Sequence, residues 1–236
     1  MTSDVESAGD LSEALGFAGT GDRPAPKVNK GSPRMFESAF FERFSHVHPA
    51  TPAVLFGPLV IVSLVLAFTM TDLGAVGVAW RFIAGYVGWT FFEYWLHRLV
   101  FHLPVVGPLT ERLQFLIHGV HHDYPWDRTR LVIPTPASIV LALVLGPAFW
   151  AIFGGAEMFP IFAGFVTGYI AYDTIHWYVH ARVPRSRFGR WVRREHMVHH
   201  FKDNGTRFGV SCPWLDHLFA TTGSGTASAA TADKRG

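Results

Sequence analysis

The sequence is short of charge and almost without cysteine. Only 16% of its 236 residues are Asp, Glu, Lys or Arg, while 49% are apolar and 15% aromatic; an ordinary soluble domain carries roughly 25% charge. The single cysteine, Cys212, excludes disulfides and zinc sites built on cysteine pairs. Lack of cysteine clusters likewise removes iron–sulfur and thiolate centres. The N-terminus has no apolar run of the signal-peptide kind: residues 1–33 are rich in Asp, Glu, Gly and Ser and read as a disordered segment. Residues 223–236, mostly Gly, Ser, Thr and Ala, read as a flexible tail. A pI of 8.8 does not call for nucleic acid as a partner, because the placement of the basic residues has another explanation.

Four stretches carry few or no charges: residues 52–70, 75–96, 135–153 and 158–179. At about 1.5 Å per residue each covers roughly 28 Å or more, close to the thickness of a bilayer's hydrocarbon core. So many apolar runs in so short a chain are hard to cover with protein. Residues 34–222 therefore read as one all-α integral membrane domain with four transmembrane helices. The links at 71–74 and 154–157 contain Asp72 and Glu157 but no Lys or Arg, and of all the basic residues only Arg81 lies at that side. The positive-inside rule puts both termini in the cytoplasm, of a bacterial inner membrane or an endoplasmic reticulum. Before the first stretch, Phe36, Phe40, Phe41 and Phe44 recur at helical spacing, as in a helix lying among headgroups or packing on the bundle.

What dominates the chain is histidine. Ten of its thirteen histidines fall in four clusters at the ends of the apolar stretches: HRLVFH (His97, His102), HGVHH (His118, His121, His122), HWYVH (His176, His180) and HMVHH (His196, His199, His200). Residues three and four apart share a helix face, so HGVHH and HMVHH each aim three imidazoles one way and HWYVH aims two. His97 and His102, five apart, share a face only if the helix ends between them, which Pro104 favours. Ten imidazoles are too many for one ion. Shared between two they give five ligands each, leaving an octahedral ion one open position. Neutral nitrogen donors suit iron, copper, nickel or zinc. Asp123, Asp127 and Asp173 are candidates to accept the other ring N–H of the ligands and fix their tautomers. His46, His48 and His217 lie outside the rows and read as bystanders.

These strings resemble the fatty acid hydroxylase/sterol desaturase superfamily, and most closely its fatty acid 2-hydroxylase branch. The likeness covers about residues 32–222 and rests on FFEYWLHRLVFH, HGVHHDYPWDRTRLVIP, YDTIHWYVH, HMVHHFKDNGTRFGV and WLDHLFATT. It implies four membrane helices, a cytosolic helical cap, and a dimetal centre of two iron ions on His97, His102, His118, His121, His122, His176, His180, His196, His199 and His200, with O2 as co-substrate. Zinc readily replaces ferrous iron at nitrogen sites during preparation. Many eukaryotic relatives carry a fused haem domain, for which residues 1–33 are too few.

The expected activity is hydroxylation of a fatty acyl chain dissolved in the membrane, at the 2-position by resemblance. Trp89, Phe91, Phe92, Tyr94, Trp95, Tyr172, Trp177 and Tyr178 are placed to line the entrance, or to pack as an interfacial belt. An external electron donor of ferredoxin or small-cytochrome type is the expected partner. Arg182, Arg185, Arg187, Arg190, Arg193 and Arg194 crowd one segment where it could dock. The same ligand set serves sterol or other lipid desaturases and carotenoid hydroxylases. A protein that only binds or transports metal is the alternative of another class, disfavoured because its polar groups would sit at mid-membrane.

Overall fold

The computed structural model describes residues 31–223, so the segment before residue 31 and the tail beyond 223 lie outside the described residues. In chain order the helices are α1 (Ala39–Ser45), α2 (Thr51–Met70), α3 (Gly74–Leu96), α4 (Pro108–Gln114), α5 (Val120–Asp123), α6 (Thr135–Phe153), α7 (Met158–Ala181), α8 (Arg187–Phe201) and α9 (Trp214–Leu218). No strand occurs among the described residues. Two wide π turns interrupt this pattern: His97–Phe101 continues α3, and Phe115–Gly119 joins α4 to α5.

Proline and glycine set the helix ends. Pro52 and Pro136 occupy the first turns of α2 and α6, where no partner for the missing N–H is needed. Gly154 ends α6 at φ 72°, a left-handed conformation that costs glycine little. Pro58 and Pro147 stand inside α2 and α6, a placement tolerated in membrane helices. Ser186 caps α8 by accepting the Gly189 N–H at 3.0 Å.

Three helical stretches are long and apolar enough to cross a membrane: α2, α6, and α7 with the short turn before it. α3 is as long as these, at 23 residues, but less apolar. In α7's most apolar stretch 61% is buried inside the protein, against 17% in α2 and 11% in α6. Thus α7 is the centre of the bundle, while α2 and α6 turn Ile61, Val65, Leu143 and Ile152 outward. Apolar surface of that extent is stable only against lipid, and the protein is a membrane protein.

α3 runs beside α7 along a seam of small residues. A Cβ on Gly85 would strike the Ile161 carbonyl, one on Gly164 the Phe82 carbonyl, and one on Gly168 the Trp89 side chain. Such close backbone approach is how membrane helices gain packing without a hydrophobic drive. Around it Phe56, Trp89, Phe165, Tyr169 and Tyr172 form the core. Arg81 pairs with Glu157 at 3.0 Å where α3 and α7 begin; all four histidine clusters gather where they end.

Candidate metal centre

The ten histidines converge into two groups of five. His97, His102, His118, His122 and His199 make the first, and His121, His176, His180, His196 and His200 the second; within each, the candidate ligand nitrogens lie within 4.8 Å of one another. In the first group the Nε2 atoms form a closed ring: His97 to His118 3.1 Å, His118 to His122 3.0 Å, His122 to His199 3.2 Å, His199 to His102 3.0 Å and His102 to His97 3.2 Å. In the second, His121 lies 2.9 Å from His176, and His196 lies 2.8 Å from His180 and 3.1 Å from His200.

A ring of five Nε2 atoms cannot be a ring of hydrogen bonds when some of them are bare acceptors, and at least two are. His97 Nδ1–H donates to the Phe208 carbonyl at 2.6 Å and His199 Nδ1–H to the Thr206 carbonyl at 2.6 Å. A carbonyl only accepts, so the ring proton of each sits on Nδ1 and each Nε2 presents a lone pair inward. Two nitrogens bound at right angles to one ion by bonds of about 2.1 Å would be about 3.0 Å apart, the spacing found around the first group. The donor set therefore fits a metal ion in each group.

Protonation agrees. Burial, reinforced by neighbouring imidazoles, holds His97, His118, His121, His122, His196, His199 and His200 well below the ordinary imidazole range, and burial pushes His102 down to about 4. Near neutral pH these rings are uncharged, the form a metal takes.

The sharing departs from the expected one face per HxxHH cluster. In an α-helix a step of four residues rotates by about +40° and a step of three by about −60°, so the four-apart pairs stay together and the third histidine turns away. His118 and His122 serve the first group while His121 serves the second; His196 and His200 serve the second while His199 serves the first. Nor does the helix end between His97 and His102. It widens, and the His102 N–H donates to the His97 carbonyl at 3.1 Å in a five-residue π turn that brings both rings to one side.

The carboxylates expected behind the histidines bond elsewhere. Asp127 accepts from Ser32 and Thr129, and these bonds outweigh burial to hold its carboxyl at about 2. Asp173 accepts the Ile133 N–H at 3.3 Å, and Asp123 is exposed, with no hydrogen bond to a histidine among the described residues. Backbone carbonyls, with lone pairs fixed by the fold, take the histidine N–H groups instead. His46 bonds Thr129 and Glu42, and His48 bonds the Ala50 N–H; His217 is exposed, and none of the three approaches either group.

A cavity of about 490 Å³ opens against both groups, touching His118 of the first and His121 and His176 of the second. Its walls are Phe36, Phe40, Phe41 and Phe44 of the α1 region, Phe101 and Leu116, and the stretch from Arg130 to Ala137. Of the aromatics expected at the entrance only Tyr172 lines it. Trp89 and Phe92 pack in the core, Phe91, Tyr94 and Trp95 pack near Phe219, and Trp177 donates to the Arg128 carbonyl at 3.2 Å. α1 supplies the aromatic mouth because its short length leaves Phe40 66% exposed beside the cavity. Arg130 is the only Asp, Glu, Lys or Arg on the wall; it is buried against Glu42 at 2.5 Å, with Asp127 4.0 Å from its Nε, and its Nε and Nη1 have no hydrogen-bond partner among the described residues.

A model of the fatty acid hydroxylase family matches residues 82–221, the stretch that contains all ten histidines. The chain belongs to the fatty acid hydroxylase family. It is 31% identical over 200 residues to a dihydroceramide fatty acyl 2-hydroxylase of Arabidopsis thaliana, covering 83% of this chain and 82% of the relative. It is 30% identical to the ceramide very long chain fatty acid hydroxylase of Saccharomyces cerevisiae, covering 81% of this chain and 50% of that one. The solved hydroxylase domain of full-length Scs7p superposes with a TM-score of 0.72 at 29% identity, over 77% of this chain and 69% of that chain. As a member of this family the chain is an oxidoreductase of the hydroxylase type, with a histidine-rich metal centre and a lipid substrate.

Proposed function

We propose that the protein is a membrane-bound, O2-dependent di-iron hydroxylase that converts a fatty acyl chain to its 2-hydroxy form, with the ten histidines as ligands. The observation that carries the reading is the apposition of two five-nitrogen groups to one apolar cavity. Two iron ions held there would supply reductive activation of O2, so that R–H, O2, two electrons and two protons give R–OH and water. The chain's own part is positioning and dryness. The phenylalanines of α1 and the apolar wall exclude water and align an acyl chain, and the Arg130 guanidinium, the one charge on the wall, is the group to attract its carbonyl oxygen. Holding the carbonyl near the histidines is what directs attack to the neighbouring carbon.

The same proposal reads α3 as a fourth span and puts both termini and the histidines on the cytosolic side. Arg81 is the one basic residue at the far end, and it is neutralised by Glu157. Electrons then come from an external acidic carrier. Arg182, Arg185, Arg187, Arg190 and Arg194 are exposed on the histidine side, whereas Arg193 is buried and donates to the Arg182 carbonyl at 3.2 Å.

Lipid mass spectrometry of a host with and without expression tests the reading. The expected result is acyl chains heavier by one oxygen at carbon 2, with that positional selectivity lost in Arg130→Met. A loss of two hydrogens, or oxidised sterols or carotenoids instead, transfers the chain to desaturation or to another substrate.

A further inference from the structure

Behind the first histidine group lies a loop, residues 206–212, that meets the imidazoles with backbone. The carbonyls of Thr206 and Phe208 face the same way and take the Nδ1–H of His199 and His97, each at 2.6 Å. Between them Arg207 stands at φ 59°, a left-handed conformation uncommon outside glycine. Its own N–H donates to the Thr221 carbonyl at 2.8 Å, and its Nε to Glu195 at 2.8 Å.

One buried carboxylate organises the turn. Asp216, 1% exposed, accepts the Phe208 N–H at 2.7 Å on Oδ1 and the Gly209 N–H at 2.9 Å on Oδ2, and the Thr221 hydroxyl donates to Oδ1 at 2.7 Å. The approach needs a bare Cα, since a Cβ on Gly209 would lie 2.9 Å from Asp216 Oδ2 and strike the Cys212 carbonyl. The loop's other end is tied by the Ser211 N–H to Glu93 at 2.6 Å, one turn before His97. In the second group none of the ring partners comes from this loop: His176 bonds the Leu131 carbonyl, and the Nδ1 atoms of His121, His196 and His200 have no hydrogen-bond partner among the described residues.

We propose that Asp216 is a positioning residue for the first histidine group alone: its carboxylate sets the Phe208 peptide, whose carbonyl fixes the tautomer and ring direction of His97, and the turn it anchors does the same for His199. Groups that orient ligating histidines in this way change metal affinity by about 10- to 100-fold when removed. Asp216 acts one peptide further out, through a backbone carbonyl, and the effect belongs at the lower end of that range.

The inference rests on the two-metal reading, and the test separates them. Full-length protein in detergent is loaded with cobalt(II), and ion release and the cobalt absorption spectrum are followed against increasing chelator. Wild type holding fewer than two ions refutes the two-metal reading itself. With two ions in wild type, Asp216→Asn should release one of them at about tenfold weaker chelation, with the other ion and its part of the spectrum unchanged, and His97→Ala should lose the same component. Equal weakening of both ions, or no change, overturns the positioning role. Thr221→Ala, which removes the hydroxyl's bonds to Asp216 and Tyr94 and leaves the carboxylate in place, carries the test if Asp216→Asn does not fold. A smaller effect on the same single ion supports the role; an effect on both or neither overturns it.

Discussion

The two histidine groups contain equal numbers of candidate ligands but are built by different means. The second is regular: His176 and His180 project from α7 and His196 and His200 from α8, each pair one α-helical turn apart, with only His121 coming from the short α5. The first depends on irregular backbone, with His97 and His102 joined across a π turn and His97 and His199 held by carbonyls on either side of a left-handed residue. Straight helices place ligands through repeat geometry that packing alone maintains. Irregular segments place them only while local hydrogen bonds outweigh the strain, so the two groups should respond differently to distant changes and alike to loss of a ligand.

The largest effect is expected from the ligands. Replacing His180 of the second group or His199 of the first by Ala should each cut hydroxylation by on the order of a hundredfold or more and lower bound metal from two ions toward one. His46→Ala, outside both groups, should leave activity within about twofold and metal unchanged. Metal analysis and product quantification decide it; full activity in either ligand variant breaks the model of two five-histidine sites.

An intermediate effect is expected from acid. The buried histidines outside the membrane-spanning segments have folded-state values depressed by burial, to about 4 for His102, while an unfolded imidazole titrates near about 6.5. Above about 6.5 neither state binds the protons, and stability is indifferent to pH on their account. Below it the unfolded chain takes up protons the folded chain refuses, so metal-free protein should lose stability as pH falls toward 4, each withheld proton contributing about 1.4 kcal/mol per pH unit. Thermal unfolding of metal-free protein from pH 8 to 5, with the metal-loaded form alongside, measures this; a flat curve for the metal-free form contradicts the neutral, buried assignment. Bound metal should raise stability most near neutral pH and lose that gain as pH falls, because protons compete with it for the same nitrogens.

The smallest effect concerns the arginines beside α8. Reversing Arg187 and Arg190 to Glu should slow turnover supported by an acidic protein donor severalfold and weaken its dependence on salt, with turnover on a small chemical reductant unchanged. Equal losses with both reductants would reject a docking role and leave lipid headgroups as the partner of these charges.

Much of the architecture was open to a reading of the chain, and the reasons differ by region. α2 and α6 follow from uninterrupted apolar runs with Pro near the start, a signal that lies within the segment itself. α3 and α7 are less plain, because Gly85, Gly164 and Gly168 are chosen by the close approach of two helices and leave no local period. The ten histidines were visible as four rows to be shared five and five, yet which five make each group was not, because a one-residue rotational offset decides which partner each ring meets. Asp123, Asp127 and Asp173 were attractive as histidine partners by proximity in sequence, while the actual partners, the Thr206 and Phe208 carbonyls, carry no side-chain signature at all. Asp216 lies within WLDHLF without any spacing to a histidine row, and it is buried where its neighbour His217 is exposed.

By itself the sequence determined which residues could be ligands, that they would be neutral nitrogen donors, and that the chain would live in lipid. Residue type and local hydrophobicity suffice for each of these. Only the tertiary structure decided how ten imidazoles become five and five, that α1 rather than the span aromatics forms the cavity mouth, and that a strained turn stands behind one group and not the other. Those outcomes depend on angles between helices and on backbone hydrogen bonds across more than a hundred residues, from His97 to Phe208, which no local pattern encodes.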